Sequence, residues 1–104
     1  TKFDDIINFQ INSNSLSALQ NALTNFYLIR IEYNNADGNY SKRIIEPFAL
    51  LSTLEGWLLV AYCRLRKEFR FFRLDRIGKL EILSEKFTPH KMTLQEYFEK
   101  YHNQ

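Results

Sequence analysis

Between Tyr27 and Leu83 the hydropathy alternates with a period of two, run after run, and the gaps between runs hold little more than turns. Tyr27, Ile29, Ile31 and Tyr33 alternate with Leu28, Arg30 and Glu32, which places two sets of side chains on opposite faces of one strand. N-N-A-D-G-N follows, with Asp37-Gly38 as the tight corner. A second strand covers about Tyr40–Phe48. Pro47 has no N–H to give a ladder, so it marks a strand end, an edge or a bulge. A-L-L-S-T-L continues in extended form to a turn at Glu55-Gly56. Trp57–Cys63 is nearly all apolar, Leu65–Glu68 is a charged hairpin connection, and Phe69–Leu74 returns. Gly78 breaks the pattern, and Leu80, Ile82 and Leu83 make the last strand. About five antiparallel strands at this spacing, in a mainly β chain of 104 residues, point to a small barrel or barrel-like sandwich.

Helical spacing closes both ends. N-S-N-S supplies capping residues, with Ser15 as N-cap, and Leu16, Leu19, Ala22 and Leu23 recur as one stripe of a helix over about 16–24. Thr88-Pro89-His90 ends the sheet. Thr93 with Glu96 three residues on reads as a capping box. It opens a helix through Tyr101 whose stripe is Leu94, Tyr97, Phe98 and Tyr101. Residues 1–15 read as an N-terminal arm and 16–104 as the barrel domain. The chain opens Thr1-Lys2-Phe3 without Met, as a piece of a longer protein would.

A single Cys excludes an intramolecular disulfide framework and a Cys-rich zinc site, and Cys63 reads as a buried apolar residue of its strand. His90 and His102 have no acid or Cys at ligand spacing, so no metal or other cofactor is expected, and His90 is expected to be exposed. No apolar run reaches the ~20 residues of a membrane span. No signal peptide is visible, so the expected location is cytoplasmic. There is no nucleophile setting, phosphate loop or carboxylate pair for acid–base work, and the expectation is a non-enzyme.

Charge is concentrated where the aromatics are. The stretch from Gly56 to Ile77 carries six basic residues against two acids, although the whole chain is only +2. Five of the six are arginines, whose planar forks suit phosphate or carboxylate better than an ammonium does. The candidate ligand-binding residues are Arg43, Trp57, Tyr62, Arg64, Arg70, Arg73 and Arg76. Each has a plain alternative. Trp57 shares a face with Leu59, Ala61 and Cys63 and packs in a core. Arg73 and Arg76 pair with Asp75, or guard an edge strand. Tyr62 lies on the opposite face from Trp57, with Leu58, Val60 and Arg64. Arg70 shares the Phe72 face while Arg73 points the other way. Arg66 and Lys67, at the hairpin tip, are read as solvated.

An ordered series of segments carries a family resemblance: I-E-Y at 31–33, R-I-I-E-P-F at 43–48, G-W-L-L-V-A-Y at 56–62 and R-L-R-K-E-F-R-F-F-R-L-D-R-I at 64–77. Over roughly residues 16–100 the chain resembles the WYL domain of bacterial transcription regulators. The tripeptide that names the family reads W-L-L here, with Leu58 where the naming Tyr stands, so any contact made through that hydroxyl in relatives is missing. The resemblance implies an Sm-like, SH3-type β-barrel. It also implies a ligand-sensing role toward an anionic effector, a nucleotide or a nucleic acid, and DNA binding through an N-terminal helix-turn-helix outside this sequence. The alternative is a protein–protein module that makes a homodimer. Operator reading by this domain alone is not expected, because its two helices carry little basic charge.

Overall fold

The computed structural model describes residues 13–102. Helix α1 (Ser13–Asn25) leads into strands β1 (Tyr27–Asn34), β2 (Tyr40–Thr53), β3 (Gly56–Cys63) and β4 (Glu68–Arg73). A 3-10 turn (Leu74–Arg76) connects β4 to β5 (Ile77–Lys86), and helix α2 (Leu94–His102) follows. The strands form one sheet in the order β4-β3-β2-β1-β5, with every neighbouring pair antiparallel.

The mainly β expectation with a helix at either end holds, but the sheet is open. β4 and β5 are its two edges and share no ladder. Extended backbone is interrupted after Arg73, where Ile77 N–H donates to Leu74 O in the 3-10 turn, so β4 does not run on into β5. Curvature comes instead from β2. Its residues up to Ile45 pair with β1, those from Ile45 onward pair with β3, and the ladder shifts register between Pro47 and Ala49. Pro47 therefore sits at a bulge, one of the three places a strand tolerates it.

Three local expectations are corrected. Helix α1 already includes Ser13, so Ser15 lies within it; N-S-N-S offers several equivalent capping residues. The proposed arm falls on residues 1–12, outside the described residues, and on 13–15, which belong to the helix. Gly78 does not break the last strand. Glu32 pairs with Lys79 and Tyr33 with Ile77, so Gly78 is the extra residue of a bulge inside β5.

One face of the sheet holds the core. Ile29, Ile31 and Tyr33 of β1, Ile45 of β2, Leu59, Ala61 and Cys63 of β3 and Phe72 of β4 pack with Leu74 and Ile77. The α1 residues Leu19 and Ala22, both fully buried, close this cluster from outside the sheet. On the other face, α2 lays Tyr97 against the rings of Phe48, Phe69 and Phe71. The capping box at its start is reciprocal: Glu96 N–H donates to Thr93 Oγ1 at 3.0 Å and Thr93 N–H donates to Glu96 Oε1 at 2.8 Å.

Candidate anion-binding site around Arg43

Strand register sorts the candidate residues. Ile45 faces Cys63, Cys63 faces Glu68, and Ala61 faces Arg70, so Arg43, Cys63, Glu68, Arg70 and Phe72 share the core face. Trp57 is on that face too, half-buried against the core. It lies six residues up β3 from Cys63, a distance of about 20 Å. Tyr62, Arg64 and Arg73 take the opposite face, and Arg76 sits in the 3-10 turn. The seven residues do not meet at one point.

Charge pairing separates them further. Arg64 Nε donates to Glu46 Oε2 at 2.9 Å. Arg70 donates twice to Glu68 Oε2, from Nε at 2.8 Å and from Nη2 at 2.6 Å. Arg73 makes a two-point contact with Asp75, at 3.1 and 2.8 Å. That contact holds the Asp75 carboxyl below its ordinary value, chiefly through the Arg73 hydrogen bond, and raises the Arg73 guanidinium.

Arg43 differs from all of these. It is the one buried charged residue among those described, at 7% exposure, and no carboxylate among the described residues pairs with it. Its Nε donates to Ser41 Oγ at 3.0 Å and Nη1 to Cys63 Sγ at 3.8 Å, and its guanidinium carbon lies 5.8 Å from the centroid of Phe72. The Phe72 ring is fixed in turn, edge-on to Tyr33 at 5.1 Å, and the Tyr33 hydroxyl accepts from Arg73 N–H at 3.1 Å. A hydroxyl, a thiol and a ring face orient the fork without neutralising it. Five N–H donors on a guanidinium exceed the two acceptors supplied, and the surplus suits an external anion.

A second polar group occupies the opposite face. Glu46, already held by Arg64, lies 2.6 Å from His90 Nε2 through its other oxygen. His90 is half-buried against Tyr62, Phe69 and Phe87, at 5.3, 4.9 and 6.2 Å between ring centroids, and is not exposed as expected. The cause is the loop before α2, which lays the imidazole on the sheet; a separation of 44 residues from Glu46 left no local pattern to read. Ser41 is likewise not among the sequence candidates, although strand parity could have pointed to it, since a residue two before Arg43 on a strand shares its face. Among the described residues no three His, Cys, Asp or Glu side chains group as a metal site, and no helix is long and apolar enough to cross a membrane.

The sequence model of the WYL domain matches residues 14–82, which takes in α1, all of β1 to β4 and most of β5. The chain belongs to the WYL domain family. A curated relative, the uncharacterized HTH-type transcriptional regulator YobV of Bacillus subtilis (strain 168), is 38% identical over 66 residues. That alignment covers 64% of this chain and 21% of the regulator, so this WYL domain corresponds to about a fifth of that protein. Among solved structures, the proteasome accessory factor B/C (PafBC) of Arthrobacter aurescens superposes with a TM-score of 0.65 at 23% identity. The superposition covers 84% of this chain and 14% of that one, and it speaks to the fold alone. Arg43, Cys63, Arg70 and Phe72 all fall inside the family match, whereas His90 and α2 lie beyond it.

Proposed function

We propose that this WYL domain is the ligand-sensing regulatory domain of a bacterial transcription regulator, and that it binds a phosphate-bearing effector, a nucleotide or single-stranded nucleic acid, with Arg43 as the anchor. The observation that carries the reading is the burial of Arg43 without a carboxylate. An unpaired buried cation is costly, and an anion arriving from solution removes that cost. Arg70, on the same face and half-buried, is the second contact; Tyr62, Arg64, Arg73 and Arg76 are secondary, and Trp57 packs the core. Kinship to an HTH-type regulator supports DNA binding by a separate part of the full-length protein. The domain itself acts as a non-enzyme in the cytoplasm. The strand order, with β1 between β2 and β5 and a 3-10 turn before β5, supports an Sm-like reading of the fold.

The test is titration with a fluorescent oligothymidylate and, separately, with thymidine monophosphate, over a range of salt. Oligonucleotide affinity should fall with salt by about 0.7 log units per tenfold for each phosphate engaged. Loss of binding in Arg43→Met supports the site, and undiminished binding by that variant refutes it. Preference for the mononucleotide identifies a nucleotide sensor. The two open sheet edges favour a second reading, a dimerisation module. Sedimentation showing a tight dimer with no affinity for either probe would support it.

A further inference from the structure

Arg64, Arg70 and Arg73 each carry an internal carboxylate, but only the Arg70–Glu68 pair shares a face with Arg43. Glu68 stands directly opposite Cys63 in the β3–β4 ladder, and Cys63 Sγ is the atom that Arg43 Nη1 approaches. Glu68 uses one oxygen, Oε2, for both contacts to Arg70, and among the described residues none donates to Oε1. The pair is accessible, with side chains 51% and 39% exposed. A carboxylate thus stands on the Arg43 face of the sheet, across the ladder from Cys63, while engaging Arg70 and not Arg43.

We infer that Glu68 is a built-in competitor for the anionic ligand: it occupies Arg70 while the site is empty and must leave Arg70 when a phosphate binds between Arg43 and Arg70. This rests on the reading of Arg43 as the anchor. Exchange is easy because a solvent-exposed ion pair is weak, and a phosphate offers the Arg70 fork more than the single oxygen it now uses. Glu68 therefore sets the affinity threshold of the site and rejects weakly charged ligands, without touching the bound ligand.

The experiment measures oligothymidylate affinity for the whole chain and for Glu68→Gln, Glu81→Gln, Arg43→Met and the double variant Glu68→Gln/Arg70→Gln. Glu81→Gln makes the same charge change at a distant exposed pair, where Glu81 holds Arg30. Glu68→Gln should tighten binding about threefold, the factor that releasing an exposed pair of typical strength provides. Glu81→Gln should leave affinity unchanged, and the gain from Glu68→Gln should vanish once Arg70 is replaced. Equal tightening by both glutamine variants would reduce the effect to net charge and overturn the inference. So would no tightening in Glu68→Gln while Arg43→Met still abolishes binding, and the reading of Arg43 would then stand alone. Unimpaired binding by Arg43→Met, or no binding by the unaltered chain, would overturn both.

Discussion

Replacing Arg43 by Met separates the two roles a buried arginine can have. Met keeps an unbranched apolar stem beside Cys63 and Phe72 and removes the charge. The structure names what is lost: one hydrogen bond to Ser41 Oγ and one contact with the Phe72 ring, beside a long 3.8 Å contact to Cys63 Sγ that adds little. A hydrogen bond from a charged group contributes about 2 kcal/mol, and a largely desolvated cation–π contact about 1 kcal/mol. Against these stands the desolvation of a guanidinium with no counter-charge, several kcal/mol after relaxation, taken here as about 5 kcal/mol. The variant should therefore be about 2 kcal/mol more stable than the natural chain when no ligand is present. Urea denaturation should show the midpoint raised with the slope unchanged. Thermal melts should rise by roughly 4–8 °C per kcal/mol. Saturating oligothymidylate should reverse the ranking, because ligand at a hundred times its Kd adds about 2.7 kcal/mol to the natural chain and nothing to the variant. If Arg43→Met lost stability in ligand-free buffer, Arg43 would be a structural member of the core and the argument from unpaired burial would fail.

Other expectations follow from particular contacts. Asp75 and Glu32 both have carboxyls held below their ordinary values in the fold, Asp75 chiefly by Arg73 and Glu32 chiefly by the Tyr40 hydroxyl with Lys79 beside it. Lowered folded values mean stability that is present above the ordinary carboxylate range and lost as pH falls through it. Melting temperature should drop on acidification below about pH 4, and Asp75→Asn should make that drop shallower. Lys67 closes the β3–β4 hairpin at φ 58°, a left-handed conformation that glycine adopts without strain. Lys67→Gly should therefore raise stability by about 1 kcal/mol in urea denaturation. Thr93→Ala should cost about 1 kcal/mol through the lost cap, read in the same way. The loss should be accompanied by increased hydrogen exchange in α2.

Much of the face assignment was legible because strands have a period of two. Trp57 against Tyr62, and Arg70 against Arg73, fell on opposite faces as their numbering parity requires. The Asp75–Arg73 pair was also readable, from closeness in sequence and not from parity, since Asp75 lies in the 3-10 turn. Parity cannot say which faces are covered. Tyr62 reads as a candidate ligand contact in the sequence, yet the imidazole of His90 lies against its ring and Tyr97 of α2 against the neighbouring Phe69, contacts that no local pattern encodes. Barrel closure was likewise out of reach. Whether five strands close depends on pairing between β4 and β5, and hydropathy records burial, not hydrogen-bond partners. The isolation of Arg43 was hidden for a related reason. Glu46 is only three residues away, but that odd spacing sends its carboxylate to the other face, to Arg64 and His90.

The three-residue turn between β4 and β5 has a geometric consequence. In a flat sheet, four inter-strand spacings would hold those edges about 19 Å apart. A 3-10 turn advances about 2 Å per residue, so Leu74–Arg76 spans about 6 Å. The end of β4 and the start of β5 can be joined only if the sheet rolls until those corners nearly touch. The short link thus works as a drawstring: it brings Tyr33 of β1 within reach of Arg73 N–H on β4, across two intervening strands. Any insertion that lengthened it would let the sheet relax, and the reach from Tyr33 to β4, on which the placing of Phe72 beside Arg43 depends, would be lost with it.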